Sequence, residues 1–279
     1  MGDDMDSDER RSRAESFDDV AEIYAAHRPE FQLEAVKWLV SDKPKRVLEL
    51  GAGTGKLTAR LIELNHDVIA ADPSPAMLKE LSAHASGAHL VRATAESIPL
   101  QTSSVDMVVA AQCLHLIDHE RAMPEIARVL RPGGSLLVSS IVGDRKIPWV
   151  NKVYALIHQG PPTPDDFDPF AETDVFELAE QTAIRHWEVF RRDRLVGFVC
   201  STSTVASLSP AEREQRIIAV EELYDSYGRG PDGLLMPWLT KCYRGRVAGL
   251  AAPVSSPDAE PTQRIESADL DDGLLIDFK

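Results

Sequence analysis

Short apolar runs alternate with segments of helical periodicity through the middle of the chain. Strands are predicted where apolar residues are continuous, over 47–50, 68–71, 88–92, 105–111 and 135–141. Helices are predicted where apolar residues recur three and four positions apart, over 56–65, 74–85 and 120–130, and Ser74 followed by Pro75 suits a helix start. Because such alternation forms right-handed crossovers, the pattern predicts an α/β protein with a doubly wound, mostly parallel sheet that carries helices on both faces.

The flanking segments predict a cap and a closing element around this core. Residues 17–40 suggest two short helices broken at Pro29, because proline disfavours helix in the residue before it. Beyond the core, helices are predicted over 149–157, 174–182, 196–208 and 210–227, and strands over 186–191 and 234–247. The predicted organisation is a disordered tail (1–16), one domain (17–250) and a flexible tail (251–279). Within the domain we expect a core (46–142), a cap (17–45 and 143–186) and C-terminal helices with a last strand (187–250).

A glycine-rich loop follows the first predicted strand. Residues 46–58 read RVLELGAGTGKLT, in which Gly51, Gly53 and Gly55 separate an apolar strand from a helix. Glycines allow a sharp turn and bring backbone N–H groups close to a ligand. An acidic residue, Asp72, ends the next apolar run about twenty positions downstream. This combination predicts a nucleotide-like cofactor site.

Further polar residues fall at the carboxyl ends of the predicted strands, where open parallel sheets bind ligands. Ala95 and Glu96 follow strand 3, and Gln112 to His115 follow strand 4. A nicotinamide dinucleotide remains possible, because an acid at the position of Asp72 can bind ribose hydroxyls. Lys56 argues against it, since it stands where the dinucleotide motif Gly-x-Gly-x-x-Gly has its third glycine.

Composition narrows the classes of partner. The 279 residues carry a formal net charge of -15 with a pI near 5.0, which disfavours nucleic acid. Cys113, Cys200 and Cys242 are scattered and lack metal-ligand spacing, so no metal site is predicted and a reducing compartment is favoured. We find neither a secretory signal in residues 1–16 nor an apolar run of roughly 18 residues that could cross a bilayer. The expectation is a soluble, cytoplasmic protein that makes no membrane contact.

Five segments in this order resemble the class I S-adenosylmethionine-dependent methyltransferases. They read VLELGAGTGKLT, AADPSPAML, ATAESIPL, VDMVVAAQCLHLID and ARVLRPGGSLLV. Three stretches, one of which lies within the fourth of these segments, are similar to small-molecule enzymes of the trans-aconitate methyltransferase-like group. They read YAAHRPEF, AQCLH and LMPWLTKCYRGRV. The resemblance implies a Rossmann-like sheet of seven strands whose last strand, 234–247, runs antiparallel.

The resemblance also assigns cofactor roles to residues of this chain. It implies that Glu49 and the three glycines hold the methionyl part of S-adenosylmethionine, that Asp72 binds both ribose hydroxyls and that Ser74 and Met77 flank the ribose and adenine. It places Ala95 and Glu96 at the adenine edge, and Gln112 and His115 beside the methyl group. Family members often carry Asp where this chain has Thr94, so a backbone N–H of Ala95 is the expected adenine contact.

The implied reaction is in-line transfer of the methyl group to an O (or N or C) nucleophile of a small organic molecule, with S-adenosylhomocysteine as product. His115 and Tyr24 are the catalytic candidates. His27, Arg28 and Trp149 are expected to face the substrate, and Arg28 or Arg244 would pair with an acidic acceptor. Two alternatives stay open, a cofactor-binding scaffold or cyclase without methyl transfer and an NAD-dependent oxidoreductase. A nucleic-acid methyltransferase fits poorly, because AQCLH stands where amino-methylating enzymes of that kind carry Asn/Asp-Pro-Pro-aromatic. The expected state is a monomer or a homodimer.

Overall fold

The computed structural model describes residues 21–40, 43–157, 167–227 and 233–248. The tails predicted over 1–16 and 251–279 lie outside these residues. The helices are α1 (Ala21–His27), α2 (Leu33–Leu39), α3 (Lys56–Glu63), α4 (Pro75–His84), α5 (His119–Val129), α6 (Pro148–Ile157), α7 (Arg192–Cys200), α8 (Ser203–Ala206) and α9 (Pro210–Tyr227). The strands are β1 (Arg46–Leu50), β2 (Asp67–Ala71), β3 (His89–Val91), β4 (Val105–Ala111), β5 (Leu130–Gly143), β6 (Phe176–Phe190) and β7 (Leu234–Val247). A membrane-spanning length of apolar helix is not found in these described ranges.

Seven strands of the described chain form one sheet in the order β3-β2-β1-β4-β5-β7-β6. The first five pair in parallel, and β7 lies antiparallel between β5 and β6. The expected seven-stranded, mostly parallel sheet with an antiparallel strand over 234–247 is therefore confirmed. The chain winds outward from β1 to β3 and then crosses back to β4, so the strand order reverses between β1 and β4. Such a switch point opens a crevice at the carboxyl ends of the two strands.

Helices cover both faces of the sheet, as predicted. On β1, Val47 packs into a cluster on one face that includes Leu57 of α3, together with residues of α2, α6 and α7. Leu48 packs into a cluster on the other face that includes Met123 of α5. Side chains of a strand alternate between its faces, and a strand buried on both sides reads as a continuous apolar run. This continuous apolar pattern explains why the core strands could be predicted from the sequence.

The start of α4 confirms the helix signal at Ser74. The Ser74 hydroxyl accepts a hydrogen bond from the backbone N–H of Met77 at 3.0 Å, and Pro75 begins the helix. A side-chain oxygen at this position satisfies one of the N–H groups that the first helical turn leaves without a partner. The chain is thus turned sharply at the end of β2, directly after Asp72.

The helix predicted over 174–182 is wrong, because this segment is the first half of β6. Its residues include the helix formers Glu, Leu, Ala and Gln, which explains the error. In the structure the segment pairs with β7 along its length, and the register shifts between Leu178 and Glu180. The shift breaks the two-residue alternation that would have signalled a half-exposed edge strand. The strand predicted over 186–191 is the second half of the same element.

Candidate active site

The glycine loop lies at the switch point between β1 and β4. Gly51 follows β1 directly and has a φ of 61°, in the left-handed region that favours glycine. A Cβ added to Gly51 would lie 2.6 Å from the Cβ of Cys113, which follows β4. A Cβ on Gly53 would meet nothing within 4 Å. The first glycine therefore lets the ends of the two strands approach, and the second leaves open space above the loop.

Asp72 connects the glycine loop to the end of β2. Its carboxylate is buried, with 6% of the residue exposed. One oxygen accepts the backbone N–H of Gly53 at 2.8 Å, and the other accepts the backbone N–H of Ser74 at 2.9 Å. An ionised carboxylate has about four lone-pair sites, so both oxygens can accept further hydrogen bonds. The residue thus anchors the loop and keeps acceptor capacity on both oxygens.

Glu49 is a buried acid that has no cationic partner within the described part of the chain. Only 2% of the residue is exposed, and the Thr58 hydroxyl donates to its carboxylate at 2.7 Å. Burial raises the pKa of Glu49 to about 8, an effect that the Asp72 charge increases and the Thr58 hydrogen bond opposes. A cationic group placed here would favour the ionised form.

The loop after β3 closes this edge of the site. Ala95 and Ile98 are buried, and the Glu96 carboxylate accepts the backbone N–H of Asp118 at 2.9 Å, at the start of α5. The Glu96 side chain is thus engaged by α5.

The sequence did not reveal the roles of Glu125 and Arg128, which bind the main chain at Ile98 and Leu100. Their sequence signal is an acid and a base three positions apart on an amphipathic helix, which is common on solvated surfaces.

The end of β4 supplies Gln112. Its φ is 62°, its backbone N–H donates to the Ser139 carbonyl at 2.8 Å and its side-chain amide donates to the Ile141 carbonyl at 3.0 Å. The neighbouring Cys113 thiol donates to the Leu50 carbonyl at 3.1 Å, and burial raises its pKa far above the usual range. Burial therefore favours the protonated thiol, and the thiolate is the form that acts as a nucleophile.

His115 follows Gln112 in the chain but does not belong to the cavity lining formed by the described residues. It is exposed, in a single turn of 3-10 helix over Leu114–Leu116. The turn carries its side chain to the surface. The placement gives no support to the predicted role of His115 beside the methyl group.

Residues around the end of α1 face the glycine loop across the cavity. Tyr24 and Arg28 line it, and the guanidinium of Arg28 lies 4.9 Å from the centre of the Tyr24 ring and 5.5 Å from that of Phe198. Arg28 also donates from Nη2 to the Ser201 carbonyl at 3.1 Å. Its Nε is buried and makes no hydrogen bond within the described part of the chain. Burial raises the pKa of Tyr24, so its phenol remains protonated at neutral pH.

The other predicted substrate residues lie elsewhere. His27 packs against α7, where a Cβ on Gly197 would lie 2.3 Å from the imidazole ring. Trp149 is partly buried at the start of α6 and packs against the core. Arg244 donates to the Glu180 carboxylate and to the Trp38 carbonyl, each at 2.6 Å, on the outer strands. Of the substrate candidates, Arg28 is the one that the structure brings to the cavity.

The cavity therefore joins cap, glycine loop and β4 end in one space. Its lining includes Tyr24, Arg28, Pro29, Phe31, Glu49, Gly51, Ala52, Gly53, Thr54, Lys56, Leu57, Ala111, Gln112 and Ile141. The Thr54 hydroxyl is buried and has no hydrogen-bond partner among the described residues. A polar ligand with an acidic and a basic end, such as an amino-acid moiety, would satisfy both Thr54 and Glu49. No cluster of three metal-ligating side chains occurs in the ranges that the structure covers.

Fold and site together define the Rossmann-like architecture of class I methyltransferases. A methyltransferase-domain family model matches residues 48–138. An uncharacterized methyltransferase of Mycobacterium tuberculosis is 36% identical over 245 residues, which cover 86% of this chain and 98% of that protein. An uncharacterized methyltransferase-like protein of Schizosaccharomyces pombe is 40% identical over 144 residues, covering 50% of this chain and 56% of that protein. The chain belongs to the methyltransferase family, which decides against the NAD-dependent alternative.

One solved structure agrees with this fold. A protein of Anaeromyxobacter dehalogenans, described as a candidate type II methyltransferase, superposes with a TM-score of 0.59 at 24% sequence identity. The match covers 79% of this chain and 97% of that one. Class I methyltransferases use S-adenosylmethionine, so the family implies this methyl donor. The narrower similarity to the trans-aconitate group stays a prediction.

Proposed function

We propose that this methyltransferase transfers the methyl group of S-adenosylmethionine to a nucleophilic oxygen of a small organic acid. The observation that carries the proposal is that the Asp72-anchored glycine loop and the half-buried Arg28, whose Nε is buried without a hydrogen-bond partner among the described residues, line one cavity. The first is suited to the donor and the second to an anionic acceptor. Nitrogen and carbon nucleophiles remain the alternative acceptor atoms.

The order of strand ends supports the orientation of the donor. Glu49 and Thr54 lie at the end of β1, Asp72 at the end of β2 and Ala95 after β3. Neighbouring strands lie about 4.8 Å apart, so these positions span about 10 Å. The methionyl, ribose and adenine parts of the donor follow one another in the same order. We assign Glu49 and the glycines to the methionyl part, Asp72 to the ribose, and Ser74, Met77 and Ala95 to the nucleoside end.

Arg28 is the residue that would bind the acceptor. A guanidinium that keeps a buried N–H without a partner is costly, and a carboxylate would satisfy it with a charge-assisted hydrogen bond. The guanidinium lies over the rings of Tyr24 and Phe198, which favours one position of the charged group. Held in this way, Arg28 would orient one carboxylate of the acceptor while another oxygen of the acceptor faces the methyl group.

The chemistry then depends on alignment. When bound, the donor would supply an electrophilic methyl group on a sulfonium. A carboxylate oxygen would bond to the methyl carbon as the carbon–sulfur bond breaks and S-adenosylhomocysteine leaves, so no general base would be needed. Gln112 and the cap residues exclude water and hold the acceptor in line, an effect that can supply several kcal/mol. Tyr24 keeps its proton and acts as a hydrogen-bond donor, and His115 has no role in this scheme.

Methyl transfer can be tested by incubating the protein with S-adenosylmethionine and a panel of small mono-, di- and tricarboxylic acids, with detection of S-adenosylhomocysteine. In Arg28→Gln we expect the KM of the preferred acid to rise roughly tenfold or more, because a charge-assisted hydrogen bond is lost. The dissociation constant of S-adenosylhomocysteine should stay within about twofold of the wild-type value, since in this proposal Arg28 contacts the acceptor only.

Arg244→Gln is the matched control. Arg244 also lies over an aromatic ring, 4.9 Å from the centre of Trp38, and donates to a backbone carbonyl, but it lies on the outer strands. Its substitution should leave the KM of the acceptor unchanged. Turnover of neutral acceptors that is as efficient as turnover of acids, or an Arg28→Gln variant with an unchanged KM, would contradict the assignment of the acceptor.

A further inference from the structure

The segment between β3 and β4 is fixed by a pair of side chains on α5. Arg128 donates from Nη1 to the Leu100 carbonyl at 2.8 Å and from Nη2 to the Ile98 carbonyl at 2.9 Å. Glu125 accepts the Ile98 backbone N–H at 3.2 Å. The two side chains hold each other through two hydrogen bonds, at 2.7 and 2.8 Å. One bidentate ion pair thus satisfies three main-chain groups of the segment.

The start of α5 is tied to the same segment. The Glu96 carboxylate accepts the backbone N–H of Asp118, the residue that caps α5. Within the turn itself, the Ser97 N–H donates to the Thr94 carbonyl at 3.3 Å. The segment is therefore connected to α5 at both ends of the helix, and its main chain has little freedom to shift relative to the sheet.

The ion pair itself is not a strong source of stability. Its side chains are about 30% exposed, at 32% and 29%, and exposed pairs contribute little because water screens them. The geometry matters more, since the planar fork of an arginine fixes the two carbonyls relative to each other. An arrangement of this kind is suited to holding main-chain groups in a defined orientation.

We infer that Glu125 and Arg128 are positioning residues, which hold the main chain at Ala95 in the orientation that reads the edge of the adenine base. The inference rests on the proposed cofactor site, in which the base lies after β3. A backbone N–H at Ala95 would donate to an acceptor on the base. Adenine offers that acceptor at N1, whereas hypoxanthine carries a proton there, so a rigid main chain discriminates between the two.

The test measures discrimination between two ligands that differ only in the base. S-adenosylhomocysteine and S-inosylhomocysteine are titrated calorimetrically into the wild-type protein, Arg128→Ala and Arg128→Lys. We expect the wild type to prefer the adenosyl compound and both variants to lose about 3- to 10-fold of that preference, the worth of one well-oriented hydrogen bond. The lysine variant retains the charge and lacks the fork, so it separates orientation from charge.

Arg60→Ala provides the control, because Arg60 forms the same kind of ion pair, with Glu63 three residues away on α3. It should leave the ratio of the two dissociation constants unchanged. If both ligands weaken equally in the Arg128 variants, or if the ratio does not move, the positioning role is wrong. If the wild-type protein binds neither ligand, the proposed cofactor site itself fails, and the inference fails with it.

Discussion

The backbone N–H of Gly53 donates to the carboxylate of Asp72 at 2.8 Å, which joins the ends of two neighbouring strands. The same carboxylate receives the N–H of Ser74, at the start of α4. Asp72 thus holds two turns that border the site, and it does so with oxygen atoms that can also accept ligand hydroxyls. In the proposed site, both the shape of the glycine loop and the affinity for the ribose would therefore depend on the Asp72 side chain.

Asp72→Ala is therefore expected to weaken binding of S-adenosylhomocysteine by about 10- to 100-fold, which corresponds to the loss of hydrogen bonds to a charged group. Calorimetric titration at pH 7.5 measures the effect. Asp67→Ala is the control, because Asp67 begins the same strand and its side chain is 50% exposed at the opposite end. Equal affinities for the two variants would show that Asp72 does not bind the cofactor.

The parts of the site that the sequence predicted are those that the backbone dictates. The turn after β1 requires glycine at Gly51, and an acid after β2 meets that turn because parallel strands end at one edge of the sheet. Such features require a particular residue type at a particular spacing in the sequence. No such spacing predicts the role of Arg128 and Glu125, since that role depends on which loop α5 packs against.

Side-chain direction in the cap was also beyond the sequence. His27 and Arg28 are adjacent, yet His27 packs against Gly197 on α7 and Arg28 lines the cavity. Neighbouring positions at a helix end point in different directions, and only the packing of α1 against α7 selects which one faces the ligand. The first half of the strand at 176–190 was missed for a similar reason, because pairing with β7 overrides local helix propensity.

Glu49 makes stability depend on pH. Its pKa in the folded protein is about 8, above the unfolded value near 4.5, so the folded state binds a proton that the unfolded state has lost. The stabilisation that this retained proton gives to the folded state is fully present below about pH 4.5 and is lost as pH rises through 8. Glu49→Gln removes this loss, and Gln can still accept from Thr58. The melting temperature of the variant relative to wild type should therefore rise between pH 5 and pH 8 and level off above.

The control for this experiment is Glu63→Gln. Glu63 lies on the neighbouring helix α3 with its side chain 50% exposed, and it pairs with Arg60. The difference in melting temperature between Glu63→Gln and the wild type should not change over the same pH range. A Glu49→Gln variant whose melting difference is equal at pH 5 and pH 8 would mean that Glu49 titrates normally.

Cofactor binding should be coupled to the same proton. In the proposed site the α-amino group of the ligand approaches Glu49, and a cation favours the ionised carboxylate. At pH 7 the binding of S-adenosylhomocysteine should therefore release close to one proton, and the release should decline as pH rises past 8. Calorimetry in buffers of different ionisation enthalpy gives the number of protons. Glu49→Gln should release none, and an unchanged release in that variant would place the proton on another group.

Gly51 and Gly53 differ in what a side chain would meet, although both have positive φ, at 61° and 55°. Alanine at either position incurs the left-handed penalty of about 1–2 kcal/mol. At Gly51 the new Cβ would also lie 2.6 Å from the Cβ of Cys113, whereas at Gly53 it meets nothing within 4 Å. Gly51→Ala should therefore lower the melting temperature more than Gly53→Ala. Each additional 1 kcal/mol lost from the free energy of unfolding corresponds to about 2–4 °C.

Gly53→Ala should fold and bind S-adenosylhomocysteine more weakly, because its methyl group projects into the open space above the loop. Equal melting temperatures would mean that the ends of β1 and β4 separate without cost, and unchanged affinity of Gly53→Ala would move the ligand away from this glycine.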